Sequence, residues 1–270
     1  MNRLAVPFAF AAVTLLAARD ASAAPPWVDR AITLDRHVFA GDVGLGVGHT
    51  FIPRGPLPDD NITGAGLNLE AAFGVTEKVE LGLRTGVRFG NDGRATNADS
   101  YGRTLWTETY GTNNRGDVAN PEFKVRWAAY QGDVVELGLD WRLYLPIEPG
   151  SRVGGMFGMP LAFHLGRSVR IDTGPYIPTL FYDPTILHLT IPGYVWFQVS
   201  DKTWLGPMTS LRFRLAPDGG DRTDFLLGFG LGVQVASAVD LKTMILFPRI
   251  TGDEGARTFG AGFGVQFRIE

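Results

Sequence analysis

The sequence contains no cysteine, so neither a disulfide framework nor a thiolate metal site is available to it. Neither sign of charge is in excess: 25 lysines and arginines stand against 28 aspartates and glutamates, and no basic surplus points to nucleic acid. Long apolar runs are also missing. The one that comes nearest, Leu4 to Ala18, is too short for a membrane-spanning helix, which needs roughly twenty residues. Histidine is sparse, and no serine stands beside one in a recognisable nucleophile motif. Paired-carboxylate motifs, phosphate-cradling loops and metal-ligand spacings do not rise above chance. The chain is therefore read as a non-enzyme with no cofactor and no metal.

What is present begins with Met1, Asn2 and Arg3, then the apolar stretch, then Ala21, Ser22 and Ala23. A basic end, an apolar core and a small-x-small site make residues 1–23 a signal peptide, with Pro25 and Pro26 stopping any helix behind them. Export follows, and residues 1–23 are left out of the fold reading.

The mature chain is dominated by alternation. In residues 134–146, Val135, Leu137, Leu139, Trp141, Leu143 and Leu145 alternate with Glu136, Gly138, Asp140, Arg142 and Tyr144. Strand side chains point to opposite faces at period two, so one face is apolar and the other largely polar. Val79, Leu81, Leu83, Val87 and Phe89 repeat the pattern against Glu80, Gly82, Arg84, Gly86 and Arg88, as do residues 223–236 and 257–269. The same reading predicts about twelve strands, near 41–51, 63–75, 78–89, 120–130, 134–146, 155–165, 169–178, 187–199, 203–214, 223–236, 239–248 and 257–269. Tight turns near 76–77, 131–133, 166–168, 200–202 and 237–238 alternate with longer loops near 52–62, 90–119, 147–154, 179–186, 215–222 and 249–256.

A soluble sandwich would show the same alternation, but its strands usually have five or six residues and its connections cross over. These strands match the nine to eleven residues a tilted strand needs to cross hydrocarbon, and their hairpin order suits short periplasmic turns with long outer loops. Phenylalanines after the signal all sit at odd positions, and they gather near the two strand ends like aromatic girdles. Lysines and arginines within the strands take the opposite parity. The predicted fold is all-β, a closed antiparallel up-and-down transmembrane β-barrel of about 12 strands over residues 41–270, closed because an open edge in lipid would strand backbone groups. Residues 24–40 form a periplasmic segment that either tucks into the barrel mouth as a plug or pairs as an extra strand.

Glycine is abundant on the polar parity, among others at Gly44, Gly82, Gly138, Gly228, Gly230, Gly232 and Gly264, where it permits strong curvature. Tyr130, Tyr144, Tyr176, Tyr194, Trp196 or Trp204 are candidates to lie across such glycines.

Residues 67–84, in which Leu67, Leu69, Ala71, Phe73 and Val75 lead through Thr76 and Glu77 into Val79, Leu81 and Leu83, resemble a repeating unit of small outer-membrane channel proteins of Gram-negative bacteria. Residues 259–269 resemble it too, although the chain runs past Phe267 to Arg268, Ile269 and Glu270, where such barrels often finish on an aromatic. The resemblance implies the outer membrane, with its lipid and the barrel-assembly machinery as partners.

Function is read from the inner face. The expected lumen lining is Glu80, Arg84, Arg88, Lys124, Arg126, Glu136, Asp140, Arg142, Arg170, Asp172, Arg212, Arg214, Asp240 and Lys242. Both signs of charge with a slight cationic excess suit a narrow channel for small polar or anionic solutes. The long loop 90–119, with Tyr101, Trp106 and Tyr110, either folds inward as a constriction or stays outside as a surface loop. Two alternatives stand beside the channel: a plugged structural or binding barrel acting through its loops, and, less favoured, a lipid hydrolase.

Overall fold

The computed structural model describes residues 25–52, 60–90, 118–147, 153–181, 183–216, 223–250 and 257–269. Its strands are β1 (Phe39–Ile52), β2 (Asp60–Thr76), β3 (Val79–Gly90), β4 (Val118–Gln131), β5 (Val135–Tyr144), β6 (Gly154–Gly158), β7 (Leu161–Leu165), β8 (Val169–Thr173), β9 (Tyr176–Leu180), β10 (Ile186–Ser200), β11 (Thr203–Ala216), β12 (Thr223–Ala236), β13 (Val239–Phe247) and β14 (Phe259–Ile269). All pairings are antiparallel, and β14 closes on β1 in unbroken register from Phe39 opposite Ile269 to His49 opposite Phe259. No strand edge is left along that seam, which is what a sheet surrounded by hydrocarbon requires.

The fourteen strands make twelve staves, because β6 with β7 and β8 with β9 are each one stave interrupted. Sequence periodicity read each of these as a single strand, and proline accounts for the difference. Pro160 and Pro175 have no N–H to give to a ladder. The two interruptions lie side by side, with the Met159 N–H donating to the Pro175 carbonyl at 2.9 Å. Gly174 turns the chain there with a φ of +121°, and a Cβ on it would stand 2.0 Å from the Met159 carbonyl oxygen.

Short turns gather at the end that holds the first residue of β1 and the last of β14. In the β2–β3 turn, the Thr76 hydroxyl accepts from the N–H groups of Lys78 and Val79. Register shifts fall just before four of these turns, at Gly74/Thr76, Ala128/Tyr130, Gln198/Ser200 and Gln234/Ala236. Such bulges are common at barrel rims, where they add twist. One of them turns Tyr130, a candidate to face inward, to the outside, where it is 58% exposed against Gly132.

Away from the bulge that turns Tyr130 outward, strand side chains follow the parity read from sequence. Odd positions such as Leu45, Leu83, Phe123, Trp141, Phe229 and Phe263 form an exposed apolar belt around the barrel. Water solvates such a surface poorly and lipid solvates it well, so the barrel is transmembrane. Several inner glycines are covered by aromatic rings: Trp204 lies over Gly232, Trp196 over Gly230 and Tyr176 over Gly158.

Candidate functional site in the lumen

Twelve staves enclose more space than their own side chains fill. At the short-turn end that space is taken by residues 25–38, which form a strap within the lumen. It begins with one turn of 3-10 helix, Trp27–Asp29, and continues irregularly to β1. The wall facing it is built of small residues. Ile32 packs against Ala128 and Ala162, and Leu34 and Val38 against Ala40 and Ala72. A Cβ on Gly138 would stand 2.9 Å from Ile32 Cδ1, and one on Gly74 would stand 1.9 Å from the Asp35 carbonyl oxygen. Small side chains along these staves leave a groove in the wall, and the strap fills it.

The strap backbone finds partners on charged side chains of the wall. Ile32 N–H donates to Glu136 Oε2 at 3.0 Å, and Leu34 N–H donates to Glu80 Oε2 at 3.0 Å. Arg126 Nη1 donates to the Ile32 carbonyl at 3.2 Å, and Arg170 Nη1 donates to the Arg30 carbonyl. His164 lies between the Val28 carbonyl, 2.6 Å from Nδ1, and Glu136 Oε1, 2.7 Å from Nε2. Buried polar groups need such partners, because leaving one unpaired costs roughly 1–3 kcal/mol.

Two strap side chains enter a pocket of their own. The Trp27 indole stacks on Trp204 at 4.9 Å with planes 1° apart, and meets Trp196 edge-on at 6.0 Å. Arg30 lies over the Trp27 and Trp204 rings at 5.1 and 5.5 Å. It also makes a bidentate pair with Asp240, at 2.6 and 3.1 Å. A cavity of about 150 Å³ remains beside the strap, lined by residues including Asp29, Thr33, Asp35 and Arg268.

Beyond the strap the wall carries a network of ion pairs. Arg126 and Arg142 both reach Asp140, at 2.7 and 3.1 Å, and Arg142 also reaches Glu122 at 2.5 Å. Lys124 joins Glu70 and Glu80 at 2.9 and 3.1 Å. Lys242 pairs with Asp42, and Arg170 with Asp172 at 2.9 Å. Arg84 is buried at 6% exposure between Glu70 and Glu122 in the strand register, yet neither of its Nη atoms has a hydrogen-bond partner. At the end opposite the short turns Arg249 pairs with Asp224 at 2.6 Å, Arg212 lies 4.0 Å from the same carboxylate, and Arg214 is exposed.

Of the residues expected to line the lumen, Glu80, Arg84, Lys124, Arg126, Glu136, Asp140, Arg142, Arg170, Asp172, Asp240 and Lys242 are buried on the inner face. Arg212 and Arg214 sit towards the end opposite the short turns, with Arg212 half-buried. Arg88 lies on β3, while Tyr101, Trp106 and Tyr110 lie outside the described residues. Sequence reasoning passed over Asp42, Glu70 and Glu122, although their parity already placed them inward. It also passed over Arg30 and Trp27, which lie in a stretch without periodicity. His49 Nδ1 is 3.0 Å from Thr63 Oγ1, and His188 Nε2 is 3.3 Å from Arg212.

No family model and no curated relative matches the sequence. Among solved structures, an outer membrane channel from Pseudomonas putida F1 superposes with a TM-score of 0.62 at 11% identity, over 88% of this chain and 97% of its own. The chain has the fold of an outer-membrane β-barrel. The NanC porin matches with a TM-score of 0.58 at 9% identity, over 84% of this chain and 98% of its own. The translocator domain of the autotransporter NalP from Neisseria meningitidis matches with 0.54 at 10% identity, over 98% and 96%. Barrels of this fold serve different ends, so function has to be argued from the lumen.

Proposed function

We propose that this chain is a narrow channel in the outer membrane of a Gram-negative bacterium, exported by residues 1–23 and passing small polar solutes with a preference for anions. One observation carries the preference. Every inward carboxylate among the described residues has a cationic or N–H partner, from Asp42 with Lys242 to Asp240 with Arg30, whereas Arg84 and Arg214 close no ion pair. Among the described residues the uncommitted fixed charge of the lumen is therefore positive, and charged linings set selectivity. In this reading residues 24–40 are a plug that narrows the periplasmic mouth, and the histidines take no catalytic part. The apolar belt meets outer-membrane lipid, and the barrel-assembly machinery inserts it.

The test is the reversal potential of the refolded mature chain in a planar bilayer under a tenfold KCl gradient. Its sign should report anion selectivity, and Arg84→Ala with Arg214→Ala should move it towards zero or beyond. A cation-selective wild type would sink the anion reading. A second reading, a closed barrel acting through its surface loops, is favoured by the strap itself, and it requires a correctly folded barrel to stay silent.

A further inference from the structure

We propose that the periplasmic half of the lumen is a peptide-binding site, with residues 27–34 as its resident ligand. When the strap is out, the site takes an exogenous peptide carrying an aromatic side chain three residues ahead of an arginine. The proposal rests on the strap's placement in the lumen rather than on conduction.

Three features separate a binding site from packing filler. First, the wall holds the strap through its backbone: Glu80, Glu136, Arg126, Arg170 and His164 address amide or carbonyl groups of Val28, Arg30, Ile32 and Leu34. Such contacts accept many sequences, and a space-filling plug needs no carboxylates or guanidiniums aimed at its main chain. Second, these groups keep wall partners of their own: Glu80 has Lys124, Arg126 has Asp140, Arg170 has Asp172, and Glu136 has His164. The groups that hold the strap backbone thus stay charge-compensated and pre-organised when the strap leaves, which is how binding sites limit the cost of ordering. Third, one pocket reads side chains. Trp196 and Trp204 take the Trp27 indole, while Asp240 has Arg30 as its ion partner and is left unpaired by the strap's departure. An incoming ligand therefore has to bring a cation beside an aromatic group.

The link to β1 suits release. Asp35, Arg36 and His37 are exposed, and among the described residues the strap's main chain bonds to that of the sheet at its end, where the His37 N–H donates to the Gly74 carbonyl and the Gly74 N–H to the Val38 carbonyl.

The experiment uses the mature chain lacking residues 25–36, refolded in detergent and checked by heat-modifiable migration, with a fluorescently labelled synthetic peptide of residues 25–36 as probe. Saturable binding by anisotropy is expected. Trp27→Ala or Arg30→Ala in the peptide, or Asp240→Asn in the barrel, should weaken it at least tenfold. The intact chain should bind the peptide far more weakly, because its tethered strap competes at high effective concentration. Should the shortened chain fail to fold, a protease site placed at residues 35–37 of the full chain replaces it. The nicked strap should then stay bound through gel filtration and be chased off by excess peptide. No saturable binding to a folded barrel, equal binding of the altered peptides, or immediate loss of the nicked strap would each overturn the proposal. Binding to a barrel that never conducts would leave the site standing and sink the channel instead.

Discussion

Arg126 joins the wall and the strap in one guanidinium: Nε and Nη2 hold Asp140, and Nη1 holds the Ile32 carbonyl, with the residue wholly buried. Replacing it with methionine keeps much of the volume but leaves Asp140 with Arg142 alone and the strap carbonyl without a donor. Breaking one side of a buried pair costs about 3–5 kcal/mol, and urea titration of the barrel in liposomes should show a loss of that order. Parity alone put Arg126 and Asp140 on the inner face. Their pairing was not legible, because period two fixes a face and leaves the register open. The bulge at Ala128/Tyr130 then shifts that hairpin and turns Tyr130 outward. Asp42, Glu70 and Glu122 carried the same parity signal as the residues that were chosen, so the sequence held them within reach. Arg84 is different in kind. Its inward position was readable, whereas its lack of a bonded partner depends on Glu70 and Glu122 being drawn to Lys124 and Arg142 in three dimensions.

At the scale of the element, strand length and alternation located the staves well, because each must keep one face apolar over the whole crossing. The interruptions at Pro160 and Pro175 were missed, since alternation continues across them while the hydrogen-bond ladder does not. Gly174 and Gly166 make the contrast testable. Both have positive φ, but a Cβ at Gly166 meets nothing within 4 Å, whereas one at Gly174 collides with the Met159 backbone. Gly166→Ala should cost about 1–2 kcal/mol and still fold. Gly174→Ala should sharply reduce the refolded fraction seen by heat-modifiable migration; equal behaviour of the two would refute the collision. The strap was readable only as a choice between a mouth plug and an extra strand. It has neither helical nor strand periodicity, and its position is set by the small-residue groove across the lumen, which no local window of sequence displays.

For the whole molecule, the up-and-down order followed from the alternation of short and long connections and closure from the cost of an open strand edge in lipid, and the belt of odd-numbered apolar residues makes the bilayer its solvent. Leu83 is exposed on the outer face of β3. Leu83→Arg should lower folding stability in liposomes by about 2–4 kcal/mol if it lies near the midplane, with a smaller loss in detergent. The contents of the lumen were the least legible part, because they depend on how staves far apart in sequence face one another and on a segment that belongs to none of them. On the proposed function the lumen conducts and that segment narrows it. Single-channel recording of refolded residues 24–270 beside the same segment lacking residues 25–36 is the decisive comparison. Small stepwise currents from the first and clearly larger ones from the second are predicted; silence from both, with heat-modifiable migration showing folded barrels, would contradict it.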